Sequence, residues 1–200
     1  MNSLETLNQT LFLWINAVDP QPWQLLLSRI AARDLIWLLP AGLGLGWLYG
    51  GQRTRLALLG AALAAGLGLG LNQVIALFWY HPRPFEIPLG QTLLPHAIES
   101  SFPSDHFTLF MAIACSLMLS PQLRAWGLWL LLPASLVAWA RVYLGVHFPL
   151  DMLGALLMGA FSAAVMHAWP QPLEQHLLLP LQRVYRLLAA PLIRRGWVLA

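Results

Sequence analysis

Three short polar clusters stand at the ends of very apolar segments: His81-Pro82-Arg83-Pro84, then Pro103-Ser104-Asp105-His106, then Arg141 followed by His147 and Asp151. Arginine, histidine and serine are costly at a membrane boundary unless they hold or transform something, so their recurrence points to chemistry on an anionic ester. Arg83 can fork two donors onto a phosphoryl group, and its flanking prolines stiffen the exit from a helix. On its own it reads more readily as an arginine snorkelling to the interface. Pro103-Ser104 is a helix-start signal with Ser104 at or near the cap, and the free N–H groups of the next turn attract anions beside His106. An ordinary capped helix with an interfacial histidine also fits that stretch. Arg141 closes one apolar run and Pro149 opens the next, which puts His147 at a helix N-terminus with Asp151 one turn further in. A carboxylate so placed can hold one ring nitrogen and leave the other as a nucleophile. That spacing is common by itself, and it is the convergence of all three clusters on one face that favours the chemical reading.

The elements that must carry these clusters are membrane helices. The chain of 200 residues is 58% hydrophobic and 10% charged, with a mean hydropathy of +0.64, far more apolar than a water-soluble domain. Five runs approach the ~20 residues that cross the hydrocarbon core: Leu35–Tyr49, Leu56–Tyr80, Ser104–Leu119, Leu123–Leu144 and Pro149–Trp169. In the second, Ala62, Gly66 and Gly70 recur at four-residue spacing, which lets helix backbones approach closely, and tight packing is expected there. Leu4, Leu7, Leu11, Trp14 and Val18 recur every three or four residues, the pattern of an amphipathic helix in the interface. A second short helix begins at Pro22, apolar at Leu26, Leu27, Ile30 and Ala31 and polar at Arg29, Arg33 and Asp34. Leu173–Leu188, with Arg183 and Arg186, reads as another interfacial helix.

The expected fold is therefore an all-α integral membrane protein, a bundle of about five to six transmembrane helices with interfacial helices at both ends. It forms one membrane-embedded domain over residues 1–200. Residues 1–34 are interfacial or partly spanning, 35–169 form the helical core with the site, and 170–200 form an interfacial cytoplasmic tail.

Charge sets the orientation. All eleven basic residues are arginine and the net charge is only +3, a dispersed surplus that fits membrane orientation better than nucleic-acid binding. Arg53, Arg55, Arg124 and the tail arginines Arg183, Arg186, Arg194 and Arg195 mark the cytoplasmic side, while the loop His81–Pro103 faces out. Alternation through the five spans then brings the three clusters together on the outer side. Cys115 stands alone in an apolar run and forms no intrachain disulfide. The N-terminus lacks the charged start and cleavage site of a signal peptide, so it is expected to stay on the mature protein.

These clusters resemble the type-2 phosphatidic-acid phosphatase superfamily of membrane lipid phosphatases, whose consensus is Lys-x6-Arg-Pro, Pro-Ser-Gly-His and Ser-Arg-x5-His-x3-Asp. Arg83-Pro84 matches the end of the first element, Pro103-Ser104 with His106 the second, and Arg141, His147 and Asp151 the third. Tyr80–Phe85, Leu94-Pro95-His96 and Ser101–His106 are similar to the bacitracin-resistance type of undecaprenyl-diphosphate phosphatase within that superfamily.

The resemblance implies hydrolysis of undecaprenyl diphosphate to undecaprenyl phosphate and phosphate, which recycles the cell-wall lipid carrier at the outer face of a bacterial cytoplasmic membrane. It also implies that His147 is the nucleophile of a phosphohistidine intermediate, Asp151 its orienting acid and His106 the general acid and base. Arg83, Ser104 and Arg141 become the phosphate ligands, with no metal or cofactor. His81, Asp105, His96 and Glu86 are candidate accessory residues, and Glu99 shares the outer loop with them. The expected partners are the isoprenoid-diphosphate substrate and membrane lipids, with no nucleic acid; the oligomeric state stays open.

Three positions depart from the consensus. Ala76 stands at the lysine, leaving Asn72, Gln73 or His81 to take part of its role; Asp105 stands at the glycine, as in the bacitracin-resistance type; and Ala140 stands at the serine before Arg141. A phosphatase for phosphatidic acid, phosphatidylglycerophosphate or diacylglycerol diphosphate could use the same residues. The missing lysine also leaves room for a non-catalytic isoprenoid-phosphate binder or transporter.

Overall fold

The computed structural model describes residues 3–200 as a succession of helices. They are α1 (Ser3–Ile15), α2 (Pro22–Arg29), α3 (Leu38–Tyr49), α4 (Gln52–Phe78), α5 (Asp105–Leu119), α6 (Arg124–Tyr143), α7 (Pro149–His167), α8 (Pro170–Leu173), α9 (Leu179–Leu188) and α10 (Ala190–Arg194). No strand occurs among the described residues. Their ends follow local chemistry. The extended pair Gly50-Gly51 separates α3 from α4, and Pro149 occupies the first turn of α7, where its missing N–H leaves no bond unmade. The expected span at Leu35–Tyr49 begins instead as a 3-10 turn at Leu35–Trp37, itself continuous through a π turn, Ile30–Asp34, with α2. The expected boundary at residues 34 and 35 therefore falls inside one helical path. The tail behaves likewise, with α8 and α9 joined by a π turn at Glu174–Leu178, so the helix expected over Leu173–Leu188 starts earlier, at Pro170.

Three of these helices, α4, α6 and α7, are long and apolar enough to cross a membrane, and α5 is a shorter apolar helix of 15 residues. α5 lies at the centre, packed against α4, α6 and α7. Glycines make that packing close: a Cβ on Gly127 of α6 would stand 2.6 Å from the Met118 nitrogen of α5, and one on Gly159 of α7 would stand 2.7 Å from the Ala112 nitrogen. Lipid offers no hydrophobic drive for helices to associate, so this backbone proximity and its dispersion contacts hold the bundle.

The contact stripe of α4 is Ala61, Ala64, Ala65, Gly68 and Asn72, all buried. Ala62, Gly66 and Gly70, expected to make the contact, are exposed, and a Cβ on either glycine would meet nothing within 4 Å. Small size alone does not choose a face; Gly68 does, because its absent Cβ would stand 2.8 Å from Thr108 Cγ2.

α1 packs on α6 and α7 through Asn8 and Phe12, while Leu4, Leu7, Trp14 and Val18 of the expected apolar stripe face outward. Its neighbour Asn16 pins the long loop between α4 and α5. Asn16 Nδ2 donates to Gln91 O at 2.9 Å and Tyr143 O at 3.1 Å, and its Oδ1 accepts from Gln91 N at 2.7 Å. Leu93 N adds a bond to Leu144 O at 2.9 Å. Gly145 lets the two segments meet: its φ is +79°, and any Cβ would sit 2.0 Å from Gln91 O.

Candidate active site

The alternating helices bring the C-terminal ends of α4 and α6 and the N-terminal ends of α5 and α7 to one end of the bundle, and the three polar clusters with them. There, the turn between α6 and α7 presents His147, buried at 1% exposure. Asp151, one turn into α7, gathers three donors on one oxygen: Phe148 N at 2.7 Å, His147 Nδ1 at 3.1 Å and a short bond from Ser101 Oγ. With its Nδ1 proton committed to Asp151, His147 carries a lone pair on Nε2. Two guanidiniums point at that lone pair, Arg83 Nη1 from 3.2 Å and Arg141 Nη2 from 3.3 Å. Burial first, then Arg141 and Arg83, hold the His147 pKa well below the ordinary histidine value. The ring is therefore neutral and unprotonated where a nucleophile needs to be.

Arg83 is aimed by main-chain carbonyls: Nε donates to Glu99 O at 3.1 Å, Nη1 to Val146 O at 2.9 Å and Nη2 to Ser100 O at 3.3 Å. Arg141 donates to Ala32 O of the π turn at 3.2 Å and to His96 Nε2 at 3.0 Å, and its Nε is buried with no partner among the described residues. Neither arginine has a carboxylate within ion-pair distance among the described residues. Two unneutralised guanidiniums beside a cavity make an anion site.

That cavity is about 340 Å³, and its wall includes Arg83, His96, Asp105, His106, Arg141 and His147. Asp105 is no stray charge, since Asn72 Nδ2 donates to it at 2.8 Å and Gln73 Nε2 at 3.3 Å. Two of the residues considered as lysine substitutes, Asn72 and Gln73, thus reach the cavity but are committed to the neighbouring acid, beside Ala76, whereas His81 does not reach it. Ser104 sits at the N-cap position of α5, yet its side chain caps nothing; it is fully buried between Pro103 and Asp105 with Oγ unpartnered.

His96 and Glu99 line the cavity, and burial followed by Arg83 lowers the His96 pKa. Two other accessory candidates lie off the cavity wall, as does Ser104. Glu86 accepts from Arg83 N at 2.8 Å and from the Tyr80 hydroxyl, so it shapes the turn that presents Arg83. His81 stands behind Asp151, toward Glu5. Ser101 and Asn8 escaped the sequence reading. Ser101 holds Asp151, and Asn8 Oδ1 accepts from Leu150 N at 3.0 Å, in the first turn of α7. The signal for Ser101 was its place at the start of the Ser101–His106 segment; Asn8 had none.

Residues 55–175, which contain every element of this cavity wall, match the PAP2 superfamily. The chain belongs to that superfamily. It is 38% identical over 196 residues, 98% of each chain, to the provisionally named undecaprenyl-diphosphatase YbjG of Escherichia coli K12. To the undecaprenyl-diphosphatase BcrC of Bacillus subtilis strain 168 it is 36% identical over 112 residues, 56% of this chain and 57% of the other. Among solved structures, Aquifex aeolicus LpxE superposes with a TM-score of 0.64 at 26% identity, covering 82% of this chain and 96% of that one. A PAP2-type phosphatidylglycerolphosphate phosphatase from Bacillus subtilis gives a TM-score of 0.62 over 88% and 90% of the two chains; at 22% identity the likeness is one of fold. The protein is thus an all-helical, multi-pass membrane member of the PAP2 superfamily.

Proposed function

We propose that this PAP2 protein hydrolyses undecaprenyl diphosphate to undecaprenyl phosphate and inorganic phosphate. The observation that carries the chemistry is the setting of His147, with Nδ1 held by Asp151 and Nε2 facing two guanidiniums at the cavity wall. The relatives named undecaprenyl-diphosphatase support the substrate.

In this reading His147 Nε2 attacks the terminal phosphorus, the bond to the bridging oxygen breaks, and His106 gives that oxygen its proton as the lipid monophosphate leaves. His106 then takes a proton from water, the hydroxide displaces the phosphoryl group from Nε2, and phosphate departs with His147 neutral again. Arg83 and Arg141 stabilise the equatorial oxygens, with the α5 N-terminus and the Ser104 hydroxyl behind them. The diphosphate enters at the interface while its tail stays in lipid. The lengths of the apolar runs support about five to six spans, and positive-inside bias supports a cytoplasmic tail and a cavity opening to the outer side of a bacterial cytoplasmic membrane.

Phosphate release by the purified protein in detergent and excess chelator tests the reading. Release from undecaprenyl diphosphate at a kcat/KM well above that for phosphatidic acid, phosphatidylglycerophosphate and diacylglycerol diphosphate is expected. Preference for a glycerolipid would replace the substrate and leave the chemistry. Binding without release from any of them would make the protein a carrier of isoprenoid phosphates.

A further inference from the structure

The two oxygens of Asp151 are treated differently by the fold. Oδ2 receives Phe148 N, His147 Nδ1 and Ser101 Oγ, whereas Oδ1 is buried with no hydrogen-bond partner among the described residues. Facing it at 3.9 Å is His81 Nδ1, which is also buried and also unpartnered. A donor-capable nitrogen and an acceptor oxygen, both orphaned in a buried place, are the halves of one unmade bond.

His81 is built into position. Its N–H donates to Ser100 Oγ at 3.2 Å and its carbonyl accepts from Ser101 N at 2.7 Å, so its backbone is tied to the strand of loop that carries the Asp151 ligand. Its ring lies edge-on to Phe148 at 5.5 Å between centroids and tilted on Trp79 at 5.6 Å. On the far side Nε2 stands 3.4 Å from Glu5 Oε2 of α1. We propose that His81 is a positioning residue for Asp151, its Nδ1–H closing on the free carboxylate oxygen while Glu5 holds the opposite ring nitrogen. The gap follows from a missing proton on Nδ1. With a single proton on Nε2, toward Glu5, two lone pairs face each other across 3.9 Å and stay apart. A second proton, on Nδ1, lets the ring donate to both carboxylates at once and turns the same contact into a charge-assisted bond of about 2.8 Å. The chain Glu5–His81–Asp151–His147 then keeps Asp151 anionic and oriented while the His147 ring becomes cationic on phosphorylation, and it makes α1 the outer wall of the site.

The inference rests on the proposed role of Asp151, and its test separates the two. Asparagine places an amide nitrogen where Nδ1 lies, glutamine places one where Nε2 lies, and phenylalanine keeps the ring packing without either nitrogen. His81→Phe and His81→Gln are expected to lose about tenfold in kcat with KM unchanged, as for loss of an outer partner, while His81→Asn stays within about threefold of the parent. Equal losses in all three variants, a raised KM in place of a lowered kcat, or no loss at all would overturn the role. The order is read on whichever lipid phosphate the parent cleaves. A wrong substrate therefore shows in the parent, and a wrong role for His81 shows in the order of its variants.

Discussion

Buried arginines occur at both ends of the bundle, and they do opposite things. At the end away from the cavity, Arg55 is fully buried and donates to Trp47 O at 2.9 Å, Ala200 O at 2.8 Å and Leu199 O at 2.8 Å, with the Tyr185 ring 4.6 Å from its guanidinium carbon. Every nitrogen ends on a main-chain carbonyl, and the face is covered by an aromatic ring: the residue closes the α3–α4 turn against the tail. Arg83 and Arg141 also use carbonyls, but each keeps a donor on His147 Nε2 at the wall of an open cavity. Burial of a cation is therefore no mark of a site. What distinguishes the cavity end is convergence on one lone pair, together with donors that the fold leaves unfilled.

Breaking each end should separate activity from stability. The largest effect is expected from His147→Ala, with kcat down on the order of 10⁵–10⁶-fold and an unchanged melting temperature, by analogy with loss of a nucleophile that works as part of a unit. Arg141→Met should cost about 3 kcal/mol of transition-state stabilisation, read as roughly a hundredfold in kcat/KM. It should also move the acid limb of the pH profile. His147 is held unprotonated first by burial and then by Arg141, so the parent is expected to stay active below the usual histidine range. Removing that cation raises the His147 pKa and shifts the limb to higher pH; a limb that stays put would mean that another group titrates there.

Arg55→Ala should do the reverse of His147→Ala. Stability falls by about 3 kcal/mol, since three carbonyls lose a charged donor, while kcat per folded molecule stays within twofold. Ser104→Ala should have the smallest effect, about tenfold in kcat/KM with no change in melting temperature. A capping serine would cost about 1 kcal/mol of stability on removal, but Ser104 Oγ caps nothing here.

Local signals in the sequence were strong where backbone chemistry is local. Pro149 opens α7, Ser104 stands at the cap of α5, and the His147–Asp151 spacing of four becomes a 3.1 Å contact because the acid sits one turn inside the helix. What stayed hidden depends on which face turns inward, and that is decided by partners far along the chain. Ala62, Gly66 and Gly70 looked like a helix contact, yet Gly68 makes it, because Thr108 and Ser162 meet α4 there. Arg53 and Arg55 read alike as cytoplasmic charges, but only Arg55 is buried, chosen by a tail more than a hundred residues away. Ser101 sat within a segment already singled out, and its tie to Asp151 exists only once the long loop is folded over α7.

Phosphorylation of His147 is tested by trapping the covalent intermediate. Undecaprenyl diphosphate labelled in its terminal phosphate would be mixed with excess parent protein, quenched in base during the first turnover and mapped by peptide. Base-stable, acid-labile label on the peptide containing His147, absent from His147→Ala, is the predicted result. Full turnover with no trapped label, or label on a different residue, would contradict it.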